Sequence, residues 1–124
     1  MCNLYSLTPK RNVVADFFRV SHNRTQQFEP QNAIFPNYTA PIVRRAPDGE
    51  REIVLMNWGF VLPQPGRAPR RVTNVRDDKL HSSGFWRDSF EGRRCLVPAS
   101  SFCEPNGGTR ATLKVAPGVE IAST

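Results

Sequence analysis

Long apolar runs are missing from the sequence. None approaches the ~20 residues that a membrane-spanning helix needs, so no span is expected. The N-terminus also lacks a basic region followed by an apolar stretch, so no secretory signal is read and the cytoplasm is the expected compartment. Cysteine is scarce: Cys2, Cys95 and Cys103 make an odd number with no C-x-x-C pair. That pattern argues against a disulfide framework and against a zinc site, whose ligands come closely paired, so neither metal nor cofactor is expected. Acidic residues are the minority, 11 against 17 lysines and arginines, which leaves a net charge of +6. The surplus is mostly arginine, whose planar fork suits phosphate better than the point charge of lysine does. An anionic partner, nucleic acid first among them, is one reading; a solvated basic surface is the other.

What is present fits a folded chain. The 124 residues, 39% hydrophobic and 23% charged, suffice for one domain over 1–124 and leave no room for a second core. Thr8 as cap and Pro9 at the first helical position predict a helix ending near Val20, with Val13, Val14, Phe17 and Phe18 on its apolar face. Residues 21–41, with Pro30, Pro36 and Pro41 among polar neighbours, read as an ordered loop. Ile42 to Arg45 and Glu52 to Phe60 read as two strands joined at Pro47-Asp48-Gly49. On the second of these, Val54, Met56 and Trp58 alternate as a buried face would. Residues 62–71 form a proline-rich basic loop, and a short helix is expected over Ser83 to Phe90. Strands follow at Arg94 to Pro98 and Ser100 to Glu104. A turn at Asn106-Gly107-Gly108 leads to a last strand, Thr109 to Val115, after which no element is expected. Few helices and many strands predict a mainly β, α+β fold.

Cys2 follows the initiator methionine directly. Methionine is trimmed when the next side chain is small, so Cys2 would carry a free α-amine beside its thiol. With pKa values of ~8 and ~8.5, both groups are partly nucleophilic near neutral pH. Such a 1,2-aminothiol condenses with an aldehyde to an imine, and the thiolate then closes a five-membered thiazolidine. The opened sugar of an abasic site in DNA exposes an aldehyde of this kind. A terminal cysteine also suits an amidohydrolase that matures by cleaving itself. Against both stands a small apolar residue tucked under a strand.

Met1-Cys2-Asn3-Leu4-Tyr5 is followed by Phe35-Pro36-Asn37-Tyr38-Thr39-Ala40-Pro41, Met56-Asn57-Trp58-Gly59 and Thr73-Asn74-Val75-Arg76. Arg94-Cys95-Leu96-Val97-Pro98 and Ser101-Phe102-Cys103-Glu104 complete the series. In order and spacing these segments resemble bacterial members of the SRAP family, the SOS-response-associated peptidases. The resemblance implies one β-rich domain with a curved antiparallel sheet or open barrel. It also implies a partner, single-stranded DNA containing abasic sites. Cys2 would be the nucleophile, Asn74 would lie beside it, and Glu104 would be the general acid/base. Arg76 would contact a phosphate near the lesion. From the residues alone, Arg67, Arg70 and Arg71 read either as a phosphate-tracking edge or as a solvated loop. Turn and loop roles for Asn74 and Glu104 stay open from the residues alone. Trp58 and Cys95 read as core, and Cys103 as facing away from Glu104.

The chain also departs from the family pattern. A catalytic histidine in a His-x-x-Met-Pro segment lies downstream in longer members, and neither His22 nor His81 matches it. Where the family often places aromatic residues after Trp-Gly, the loop here reads Phe60-Val61-Leu62-Pro63-Gln64-Pro65-Gly66, and Leu4 stands where some members carry arginine. A C-terminally truncated copy is therefore expected, with peptidase or lyase-type activity left open. Two further functions compete with abasic-site capture. One is a cysteine peptidase or amidohydrolase acting on its own Met1-Cys2 bond. The other is an inactive remnant binding nucleic acid through arginines alone.

Overall fold

Pro47-Asp48-Gly49 makes the hairpin expected of it. In the computed structural model, which describes residues 2–105, 111–115 and 121–123 and side chains over 2–103, the turn is closed by the Glu50 carbonyl accepting from Ala46 N–H at 2.7 Å. Gly49 adopts φ +87°, a left-handed conformation that glycine reaches without a Cβ penalty. The turn joins β4 (Thr39–Arg45) to β5 (Arg51–Asn57) in register from Thr39↔Asn57 to Arg45↔Arg51.

Along the chain run β1 (Tyr5–Leu7), α1 (Arg11–Phe17), β2 (His22–Asn23), β3 (Gln31–Ile34), β4 and β5. Then come β6 (Phe60–Leu62), β7 (Arg70–Val72), a 3-10 turn (Asp77–Lys79), α2 (Gly84–Gly92), β8 (Cys95–Val97), β9 (Ser101–Pro105), β10 (Ala111–Val115) and β11 (Ile121–Ser123). The strands sort into three sheets, ordered β10-β9-β1-β3, β11-β8-β4-β5-β2 and β6-β7. Every pairing is antiparallel except β2 with β5. The mainly β, α+β class read from the sequence is the class adopted, and no sheet closes into a barrel among the described residues. No described helix is long and apolar enough to cross a membrane.

The core lies between the two larger sheets and α1. Tyr5, Leu7, Val14, Phe18, Phe28, Ile34, Val43 and Ile53 form its buried cluster, with Ile34 and Ile53 at 0% exposure. Truncating either isoleucine to alanine costs ~2–5 kcal/mol at such sites. One charge is buried beside it: Glu52, held by Arg44 at 2.7 Å and Arg24 at 3.2 Å.

Several local expectations are corrected. Helix α1 begins at Arg11 rather than after Thr8, because the Thr8 N–H and hydroxyl are taken by the Ser100 hydroxyl at 3.0 and 3.1 Å. Of its four apolar side chains only Val14 and Phe18 are buried; Val13 and Phe17 are 57% and 66% exposed. Two adjacent i, i+4 rows look alike in sequence, and the sheet covers only one of them. The stretch 21–41 is not one loop but holds β2, β3 and the start of β4, because edge positions on distant strands recruit it. Pro41 lies inside β4, where its missing N–H had argued against a strand. On β5 the buried apolar residue is Ile53, and Met56 is 47% exposed, so the predicted alternation falls on the wrong face. The strand stops at Asn57 and resumes at Phe60, because Gly59 turns the chain at φ +118°. Trp58 does pack against the core, as read.

Residues 62–71 are flanked by a ribbon rather than being wholly loop, with Val61↔Arg71 and Leu62↔Arg70 paired. Helix α2 covers the expected Ser83 to Phe90 apart from Ser83 and extends to Gly92. Near the end, β11 pairs with β8 (Ser123↔Cys95), where no element was read. The Asn106-Gly107-Gly108 turn lies outside the described residues, as do Met1, Thr109 and Arg110.

Candidate functional site

Strand β1 runs between β9 and β3, so the chain enters its sheet through an inner position, and Cys2 sits just ahead of that strand. Opposite runs β9, paired Tyr5↔Phe102 and Ser6↔Ser101. The two strands are clamped by a buried hydroxyl pair, Ser6 Oγ to Ser101 Oγ at 2.6 Å, and by Ser100 N–H donating to the Ser6 carbonyl at 2.7 Å. Cys103 N–H donates to the Leu4 carbonyl at 2.8 Å, which carries the pairing one residue past Tyr5. Continued in this register, Asn3 falls opposite Glu104, and Cys2 and Glu104 lie at the same end of the strand pair.

The Cys2 thiol is half-buried, with its sulfur 3.7 Å from the Leu4 carbonyl oxygen. Tyr5, two residues beyond Leu4's neighbour Asn3, is buried, and its ring meets Trp58 edge-to-face at 5.2 Å. Burial pushes the Tyr5 phenol above its ordinary range, and the nearby Cys2 and Cys95 thiolates push the same way. Tyr5 therefore stays a neutral O–H beside two sulfurs at working pH. Cys95 is half-buried rather than core, and it shares Tyr5 with Cys2. Sequence reasoning missed both Tyr5 and Cys95, since an aromatic on a strand and a cysteine in an apolar run carry no local sign of chemistry.

The remaining candidates sit on other elements. Asn74 is half-buried in the segment between β7 and the 3-10 turn, where its amide donates to the Thr73 hydroxyl at 2.8 Å. Arg76 forks onto Asp78, Nε to Oδ1 at 3.1 Å and Nη2 to Oδ2 at 3.2 Å, so a phosphate would have to displace a carboxylate. Arg70 and Arg71 are neighbours on β7, and neighbouring strand residues face opposite ways, so they do not make one edge. Arg71 Nη1 donates to Asn57 Oδ1 at 2.6 Å, with the Trp58 and Gly59 carbonyls at 3.4 and 3.3 Å. His22 bonds Asp48 at 2.7 Å, and His81 meets Phe90 edge-on at 5.0 Å. Among the described residues no group of three His, Cys, Asp or Glu is placed to hold a metal.

Comparison with known proteins adds two findings. Residues 1–117 match the family described as SOS response associated peptidase (SRAP). An X-ray crystal structure of a protein from Bordetella bronchiseptica is similar in fold, with a TM-score of 0.62 and 24% sequence identity. The similarity covers 85% of this chain and 51% of that one, so the present chain spans about half the length of that relative. No curated protein matches.

Proposed function

The chain belongs to the SOS response associated peptidase family, and from that premise we propose that it captures abasic sites in single-stranded DNA through Cys2. Membership ties it to the response that DNA damage induces, and so to a DNA-related partner. Residues 1–124 act in this reading as one domain. Removal of Met1 frees the Cys2 amine, which attacks the aldehyde carbon of the opened sugar and expels water as the imine forms. The Cys2 thiolate then adds to the imine carbon, the nitrogen takes up a proton, and the thiazolidine closes. Glu104 moves the protons, giving one to the departing hydroxyl and another to the nitrogen. Asn74 holds the amine or the sugar, and Arg76, released from Asp78, takes a phosphate near the lesion, while Arg70 and Arg71, on opposite faces of β7, meet the strand at separate phosphates.

The observation that carries this reading is the β1–β9 pairing. It supports a shared position for Cys2 and Glu104 although 102 positions separate them in the chain (104 − 2). Tyr5 supports it further: a neutral phenol beside the thiol can donate to a thiolate without competing as a base.

Intact mass spectrometry of the protein incubated with a single-stranded oligonucleotide bearing one abasic site tests the proposal. The expected product has the mass of the protein without Met1, plus DNA, minus one water, and it vanishes in Cys2→Ala. An unmodified mass with Met1 already removed counts against capture. Cleavage of added peptides by the same preparation would move the reading to a cysteine peptidase.

A further inference from the structure

Phe35 and Tyr38 are 43% and 47% exposed, yet they are held as an edge-to-face pair with ring centres 5.7 Å apart. Two neighbouring rings this open make a small aromatic patch that a ligand can reach. The turn between them is braced rather than loose. Tyr38 N–H donates to the Phe35 carbonyl at 3.0 Å, and Asn37 N–H to the Trp58 carbonyl at 2.9 Å, while Trp58 N–H returns to the Tyr38 carbonyl at 2.9 Å. Asn37 takes a left-handed φ of +74°, which asparagine tolerates better than most residues, and so presents its carbonyl to the Asn57 amide at 2.6 Å. Asn57 in turn accepts from Arg71 Nη1. Arg71 is exposed, and among the described residues its bonds fall on Nη1 alone, which leaves the Nε and Nη2 N–H groups for a ligand.

A rigid pair of open rings joined through one amide to a guanidinium is the pairing that a single-stranded nucleic acid recognises, with bases on the rings and phosphate on the fork. We propose that the 35–38 turn and Arg71 form a stacking surface for intact, unpaired bases of the strand that carries the lesion. This rests on the capture reading, but it assigns a separate contact, made with normal nucleotides and needing neither Cys2 nor an aldehyde. The occupant is set by charge: a cation at the edge of the patch and a net charge of +6 suit a polyanion better than an apolar protein face. Because the turn is already ordered, little conformational entropy is lost when bases land on it.

Fluorescence anisotropy with two labelled 12-mers tests this, one of thymidines and one of stable abasic spacers that offer the same phosphates without bases or aldehydes. Wild type is expected to prefer the thymidine strand. Phe35→Ala with Tyr38→Ala should weaken that strand roughly 5- to 100-fold and leave the spacer strand unchanged, while Tyr38→Phe, which keeps the ring, retains wild-type affinity. Equal affinity of wild type and the double alanine variant for the thymidine strand overturns the proposal. So does an equal loss on both strands, which would mean that the substitutions act through charge or folding. Conversion of a dimer to a monomer with unchanged DNA affinity would instead assign the patch to a second copy of the chain, and also overturns it. Failure of capture reads differently: no covalent product forms on an abasic strand, while the preference for bases persists, including in Cys2→Ala.

Discussion

Replacing Gly59 by alanine tests how the Trp58–Gly59 turn is built. Gly59 holds φ +118°, and a Cβ there would lie 2.6 Å from Arg71 Cγ and 2.8 Å from Cδ. Two costs follow. An L-residue forced to that φ carries ~1–3 kcal/mol of backbone strain. The Arg71 side chain, being flexible, swings away and loses its 2.6 Å bond to Asn57, worth ~1 kcal/mol for a charged donor at an exposed site. Together they come to ~2–4 kcal/mol, a fall in Tm on the order of 10–25 °C for a chain of this size. Thermal unfolding followed by tryptophan fluorescence reads the change, since Trp58 begins the turn. A double-mutant cycle separates the costs. Arg71→Ala alone should cost ~1 kcal/mol, and the double variant should be less destabilised than the sum by a similar amount, because the bond to Asn57 is lost only once. A Gly59→Ala protein melting within ~2 °C of wild type, or strictly additive variants, would mean that neither the φ of Gly59 nor the Arg71 bond holds the turn.

Two further outcomes follow from buried polar groups. Ser6→Ala leaves the Ser101 hydroxyl buried without its 2.6 Å partner, so it should cost ~1–3 kcal/mol, whereas Ser6→Ala with Ser101→Ala should recover most of it; urea midpoints of the three variants decide. The Arg44 guanidinium hydrogen-bonded to Glu52 holds its carboxyl below the ordinary value of 4.5, against the opposing effect of burial, and Arg24 adds to the lowering. Because the folded value is depressed, the contribution is fully present above 4.5 and is lost as pH falls through the lower folded value. Glu52→Gln should therefore be less stable near neutrality and show a shallower loss in acid; parallel wild-type and variant curves of urea midpoint against pH would contradict that role.

Features that depend on near neighbours in the chain were legible from the residues alone. Pro47-Asp48-Gly49 specified its hairpin because the turn residues supply the backbone angles locally. Helix α2 was legible from a short local pattern, and the strand-rich class followed from many short apolar runs with few helical periods. The order and spacing of the motifs were enough to read the family, and Cys2 stood out because the chemistry proposed for it depends on its place after Met1.

Tertiary structure alone decided everything settled by a partner far away. Thr8 is a good helix cap in isolation, but the Ser100 hydroxyl, 92 residues on, claims it. Val13 and Val14 are indistinguishable in a helical pattern, and only the sheet beneath chose Val14. Strands β2 and β3 carry no periodic signal of their own and exist because β5 and β1 offer them backbone partners. At the candidate site, Cys95 on β8 comes to share Tyr5 with Cys2 only through the fold. Arg71 changed from one member of a basic run into the anchor of a turn 33 positions earlier (71 − 38). Local propensity acts over a few residues, whereas burial, pairing and charge act over ångströms, so a sequence reveals the first directly and the second only once the chain has folded.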